Sequence, residues 1–181
     1  NRCWFCDVHW REGNVRELEI KPGWIIQDDN LLACSDQHIK DVFSMLSKQP
    51  HRAELTGGLE AARLKDWHVD ELLQLNPKQV FFAYDSKKDY ESILNVSEMF
   101  KNLGYDPSHN HMLRCYVLIG YPSDTITNAE VRLNSVINMG FMPMAMLYRD
   151  NSGEYYTDWR RFQREWANPT ILGRKMKQAH K

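Results

Sequence analysis

The chain has 181 residues, 43% of them hydrophobic, and its 23 lysines and arginines against 24 aspartates and glutamates leave a formal charge of -1. This is enough apolar mass for one buried core, which excludes a disordered tail, and the balanced charge excludes a strong global pull toward nucleic acid or membrane. No apolar run approaches the roughly 20 residues that span a bilayer and the N-terminus does not read as a signal peptide, so a cytoplasmic protein is expected.

Chemistry begins at once, with Asn1-Arg2-Cys3-Trp4-Phe5-Cys6. Two cysteines with two residues between them, followed by a polar loop, can aim both thiolates at one metal centre; zinc knuckles, redox pairs and iron-sulfur sites all use this spacing. Cys34 and Cys115 lie in apolar, strand-like segments and read as small buried hydrophobes, not as half of a secreted disulfide framework. Residues 7 to 23 carry turn formers without a clear period and read as a loop. Trp24-Ile25-Ile26 is a short buried strand whose polar end is Gln27-Asp28-Asp29-Asn30. Ser35 is placed to cap a helix in which Ile39, Val42, Phe43 and Leu46 recur at 3.6-residue spacing.

Ala53 to Thr56 reads as a second strand ended by Gly57-Gly58, and Leu59, Ala62, Leu64, Trp67, Leu72 and Leu73 mark a helix or helix pair that stops before Pro77. The third strand is Gln79 to Tyr84, ending in Asp85, with a helix marked by Tyr90, Ile93, Leu94, Met99 and Phe100. A loop from Gly104 to His111 leads to a fourth strand, Leu113 to Ile119, closed by the turn Gly120-Tyr121-Pro122-Ser123-Asp124-Thr125. Thr127 with Glu130 predicts a capping box for the helix carrying Val131, Leu133, Val136 and Ile137. Met142 to Tyr148 is the fifth strand, with Pro143 best accommodated on an edge. Trp159 to Trp166 is helical up to Asn168-Pro169, and the basic tail from Arg174 reads as a solvated end.

Near-continuously apolar strands alternating with helices predict an α/β fold with a parallel sheet, and function at the carboxyl ends of the strands. Those ends carry Asp28-Asp29-Asn30, Thr56-Gly57-Gly58-Leu59-Glu60, Tyr84-Asp85, Gly120-Tyr121-Pro122 and Tyr148-Arg149-Asp150, so the polar and glycine-containing residues collect on one rim.

On these residues the chain resembles the radical S-adenosylmethionine superfamily. Its signature is C-x3-C-x2-C, commonly with an aromatic residue before the last cysteine; Cys3-Trp4-Phe5-Cys6 matches the second half, Phe5 included. The first cysteine would then precede residue 1. Ile119-Gly120-Tyr121-Pro122-Ser123-Asp124-Thr125 is similar to the I-G-x-P-G-x-T turn of several branches, departing at Ser123. The resemblance spans residues 1 to about 150. It implies a partial (β/α)6 TIM-like barrel lacking its first strand, with residues 151-181 as a helical extension and basic tail.

It also implies chemistry. Three thiolates, Cys3 and Cys6 among them, would hold a [4Fe-4S] cluster whose open iron chelates S-adenosyl-L-methionine. One electron from a flavodoxin- or ferredoxin-like donor would release a 5'-deoxyadenosyl radical that acts on an unknown substrate. Gly57, Gly58 and Glu60 resemble the family's G-G-E turn, with Leu59 offsetting the glutamate by one. Either Glu60 or one of Asp28 and Asp29 would meet the cofactor's ammonium. Asp85 would hydrogen-bond a ribose hydroxyl or cap the next helix, Gly120 and Pro122 would shape the adenine wall, and Phe5 with Trp4 would shield the cluster. Two alternatives stand beside the enzyme: a zinc-binding structural or interaction domain using Cys3, Cys6 and His9 closed by one distant residue, and a cluster-free barrel serving as a binding module. His109 and His111 in their loop offer two metal-ligand types but no third nearby, and read as solvated. Trp159-Arg160-Arg161-Phe162-Gln163-Arg164 mixes aromatics with arginine as nucleic-acid surfaces do, and equally as a packing face does.

Overall fold

A computed structural model describes residues 4-106, 111-150 and 156-179. Five parallel strands form one open sheet in the order in which they occur along the chain: β1 (Ile25–Ile26), β2 (Glu54–Leu59), β3 (Gln79–Ala83), β4 (Leu113–Ile119) and β5 (Met142–Leu147). The described helices are α1 (Val8–Arg11), α2 (Asp36–Ser47), α3 (Asp66–Leu75), α4 (Tyr90–Asn102), α5 (Ile126–Asn138), α6 (Thr157–Ala167) and α7 (Pro169–Ala179). The alternation is therefore as expected, and the sheet is not closed into a barrel.

Because each strand pairs with the one before it, right-handed crossovers put the connecting helices on one face. Side chains agree. Val80 and Phe82 of β3 and Cys115, Val117 and Ile119 of β4 join Ile39, Val69, Ile93, Val96 and Leu133 of the helices in one buried cluster. The alternate residues point the other way: Thr56, Phe81, Ala83, Arg114, Tyr116, Met144 and Met146 belong to the second face. There Met144 and Met146 are exposed, while Phe81 stacks on Tyr116 at 4.3 Å between ring centroids.

Helix α2 shows how the sequence specifies an element. The Ser35 side chain accepts from the His38 N–H, satisfying one of the free donors of the first turn, and Ile39, Val42, Phe43 and Leu46 are the buried stripe. Each such side chain contributes about 1.5–3 kcal/mol on full burial, more than helix propensity supplies. Helix α3 ends at Asn76, which takes the left-handed conformation before Pro77. Strand β5 is the edge, where Pro143 is tolerated, and α6 covers that margin: Gln163 Nε2 donates to the Ala145 carbonyl at 3.1 Å. At the opposite edge Ile25 of β1 is 49% exposed.

Several boundaries differ from expectation, each for a physical reason. Strand β2 does not stop at the glycines but runs through Gly57-Gly58 to Leu59, with an irregularity in its pairing to β3 between Leu55 and Leu59. The cap of α5 is Thr125, whose side chain accepts from Asn128 N–H, and not Thr127; the Asp124 brace described below fixes the chain direction two residues earlier. Val131 is 60% exposed and faces away from the core. The segment 7-23 contains the short helix α1, and Cys34 follows a 3-10 turn, half-buried, whereas Cys115 is fully buried on β4. The tail is a packed helix as far as Ala179: Leu172 and Met176 are buried, and Lys175 lies 3.4 Å from Glu130, 3.6 Å from Glu165 and 4.5 Å from the Trp166 ring centroid. No helix among the described residues is long and apolar enough to cross a membrane.

Candidate functional site at the carboxyl rim

Parallel pairing brings the five strand ends to one rim, so Asp28, Asp29, Gly57, Gly58, Glu60, Asp85, Gly120 and Pro122 all belong to the same end of the sheet. Starting at β1, the Asn30 N–H donates to Asp28 Oδ1 at 3.1 Å, and Asp28 and Asp29 are exposed. Gly57 is where the backbones touch. A Cβ there would stand 1.8 Å from the Asp28 carbonyl oxygen, so only glycine lets the 28-29 segment lie along β2. Thr56 reinforces the contact by donating to the Ile26 carbonyl at 3.2 Å, and Tyr116 reaches across β3 to donate to the Thr56 carbonyl at 3.0 Å.

Glu60 follows directly. Its Oε2 accepts from Arg63 Nε at 2.6 Å and from Asn30 Nδ2 at 2.7 Å, with the Glu60 side chain 18% and the Arg63 side chain 53% exposed. The carboxylate is thus part of a polar cluster open to solvent on one side. Asp85 is different. Its acidity is weakened, with a pKa pushed up to about 6, first by burial and then by the Asp89 carboxylate; the Leu118 N–H and the Arg132 guanidinium pull the other way. Asp89, not Asp85, makes the local cap: its Oδ2 accepts from the N–H groups of Asp85 at 3.1 Å and Ser86 at 2.8 Å.

The Gly120 turn is built around Asp124. Its carboxylate accepts from Gly120 N–H at 2.9 Å and Thr125 N–H at 3.0 Å, and forms a two-pronged pair with Arg132 at 3.0 and 2.7 Å. Arg132 also donates to the Leu118 carbonyl at 2.9 Å and lies over the Tyr121 ring at 5.3 Å. Gly120 has φ +72°, and a Cβ on it would meet Leu147 at 2.7 Å and Trp159 at 3.0 Å. Ser123, at the position where the resembling turn has glycine, also has positive φ, +72°. A cavity of about 330 Å³ opens here, with Gly120, Pro122, Tyr148 and Trp159 in its wall; of the expected site residues, Gly120 and Pro122 line it.

The N-terminal segment folds onto this rim. Trp4 packs against Tyr121 and Tyr148 at 5.9 and 5.4 Å between centroids, and against Phe5 at 5.5 Å. Cys6 is a half-exposed free thiol, and Arg11, held protonated above its usual range chiefly by Glu12, is also within electrostatic reach of both Asp29 and Cys6. Cys3, His109 and Asn110 lie outside the described residues. Among the described residues no group of three or more His, Cys, Asp or Glu is arranged to hold a metal ion. Toward a metal centre the described part of the N-terminal segment offers one thiol, that of Cys6.

Arg132, Arg63 and Tyr116 join the rim without having been expected there, and Asp124, which the sequence places in the Gly120 turn, is the residue that braces it. Arg132 carries a sequence signal: with Ala129, Leu133 and Val136 it falls on the apolar stripe of α5, where a cation implies a buried partner. The bond from Tyr116 to Thr56 depends on tertiary approach and leaves no local pattern, whereas Arg63 stands three residues after Glu60, a local pair that the sequence carries. The chain matches no family model, no curated protein and no solved structure.

Proposed function

We propose that this chain carries the cofactor-binding rim of a radical S-adenosylmethionine enzyme. The observation that supports the reading is the packing of Trp4 on Tyr121 and Tyr148, which lays the segment between the two cysteines over the ends of β4 and β5. In this reading the open sheet is part of a barrel wall and its second face, with Phe81 and Tyr116, is the lumen. A [4Fe-4S] cluster, when bound, supplies the electron that cleaves S-adenosylmethionine. Cys3 and Cys6 are two of its ligands and the third thiolate precedes Asn1; Phe5 shields it.

The chain's own groups have separate tasks. Glu60, already paired with one cation, exchanges Arg63 for the cofactor's ammonium, or Asp28 and Asp29 take that charge from the neighbouring strand. Asp85 accepts from a ribose hydroxyl, and Gly120 with Pro122 forms a wall against the adenine. The electron comes from a flavodoxin- or ferredoxin-like donor.

The test is anaerobic reconstitution of protein expressed with its upstream coding sequence. Iron and sulfide should bind stoichiometrically, with sulfur-to-iron charge-transfer absorbance and reductive cleavage of S-adenosylmethionine. Glu60→Gln, or Asp28→Asn with Asp29→Asn, should weaken cofactor binding by about 10- to 100-fold at unchanged iron content, the loss of a charge-assisted hydrogen bond. Cys6→Ser should remove the iron. Uptake of one zinc and no iron would instead establish the structural zinc reading with Cys3, Cys6 and His9, which the Nδ1 of His9, buried and without a partner among the described residues, favours.

A further inference from the structure

A second cavity, of about 700 Å³, wraps the edge of β5 at the amino-terminal half of the sheet. Arg114 lies five residues before the end of β4, so this space is about 17 Å below the rim at the rise of a parallel strand. Its walls are mostly apolar: Met142 and Met144 from β5, Leu172 and Met176 from α7, and Trp166 from α6. Two donors in these walls have no acceptor among the described residues. Arg114 Nε is buried and unbonded, its guanidinium resting over the Phe81 ring at 5.8 Å, and the Trp166 indole N–H, on a residue 1% exposed, is likewise buried without a partner.

The charge in the cavity is one-sided. Arg114 and Lys177 line it, with His111, and among the described residues no carboxylate does. Glu54 feels the charge of Arg114 but is already engaged by Lys78 at 2.8 Å and by Gln79. A half-buried guanidinium without a described anion and a buried indole N–H without an acceptor are both costly states. A ligand bringing anionic oxygens and an apolar body answers the positive charge of Arg114 and Lys177 and covers the methionines.

We propose that this cavity is a binding site for an amphipathic anion, an aliphatic chain carrying a carboxylate or phosphate head, with the head at Arg114 and the chain between Met144, Leu172 and Met176. The site is independent of the rim and does not rest on the function proposed for it.

The 181-residue chain is titrated by calorimetry, below micellar concentrations, with decanoate, decyl phosphate, 1-decanol and acetate. One saturable site should take decanoate or decyl phosphate, the tighter of the two naming the head group, and decanol and acetate should each bind at least about tenfold more weakly. Arg114→Gln should reduce affinity for the anion by about tenfold or more. Gly173→Leu gives a second, fold-safe variant. A Cβ at Gly173 meets open space, leucine is the better helix former, and its side chain would fill the cavity; it should hold or raise the melting temperature while blocking binding. Equal binding of decanol, undiminished binding by both variants, binding only above the micellar concentration, or adsorption to phosphatidylglycerol vesicles without a saturable decanoate site would each overturn the proposal.

Discussion

Two turns of the rim, the Gly120 turn and the turn that follows β2 at Glu60, are each braced by an arginine and a carboxylate, at nearly the same distance and at very different depth. Arg132 and Asp124 meet at 2.7 Å with side chains 8% and 0% exposed; Arg63 and Glu60 meet at 2.6 Å with 53% and 18% exposed. In the first, every partner is protein and water is excluded, so removing either member strands a buried charge. In the second, solvent already stands beside the pair and screens it. The buried pair is therefore a brace that fixes the turn, and the half-open pair is a carboxylate whose cation can be exchanged at small cost. Of the two carboxylates, Glu60 is the one with a side open to solvent.

The largest effect expected from breaking this contrast is at the brace. Arg132→Met should cost about 3–5 kcal/mol in urea unfolding, because Asp124 keeps its burial and loses its counter-charge. Next is the contact that positions the other turn. Gly57→Ala should cost about 2–3 kcal/mol, since the Asp28 backbone must retreat from a methyl group. Hydrogen exchange at the Glu54 N–H, which donates to the Trp24 carbonyl at 2.7 Å, should accelerate more than exchange within β4.

Asp85 lies between the turns and sharpens the comparison through pH. Its folded pKa of about 6 stands above the unfolded value near 3.9, so the folded state holds the proton more tightly. The favourable contribution is complete below about pH 4 and is lost as pH rises through 6. Asp85→Asn should accordingly stabilise the protein by about 1–3 kcal/mol at pH 7–8 and by nothing at pH 4, read from the difference between the two stability curves. A gain independent of pH would reject the buried-proton account. The smallest change belongs to the open pair: Glu60→Gln should alter stability by less than about 1 kcal/mol. A loss as large as that for Arg132→Met would erase the distinction between the two turns.

What is legible in the sequence is the local grammar. Ser35 followed by the stripe from Ile39 to Leu46 specifies α2 without reference to any other element, and the run Leu113 to Ile119 names β4 residue for residue. Gly57-Gly58 reads locally as a stop, yet β2 continues because the absent Cβ serves an approach by Asp28 from a distant segment, which no window on the sequence contains. The tail misleads for the opposite reason. Its four lysines and arginines from Arg174 to Lys181 mask the Leu172 and Met176 stripe that seats α7. At the site, strand ends are legible because alternation alone puts them on one rim; the bonds from Asn30 to Glu60 and from Tyr116 to Thr56 are not, since a hydrogen bond across the sheet has no periodicity.

The identity of strand order and chain order has a consequence for how the molecule is made. Each strand can dock on its predecessor as soon as its own helix is available to cover it, so pairing advances one unit at a time with short loop closures at every step. During synthesis, which releases the N-terminal units first, the exposed margin moves from β2 to β3 to β4 and then to β5. It is covered only after Gln163 has emerged and bonded to Ala145. A chain halted before α6 would carry the five strands complete and leave that last margin bare for a neighbour.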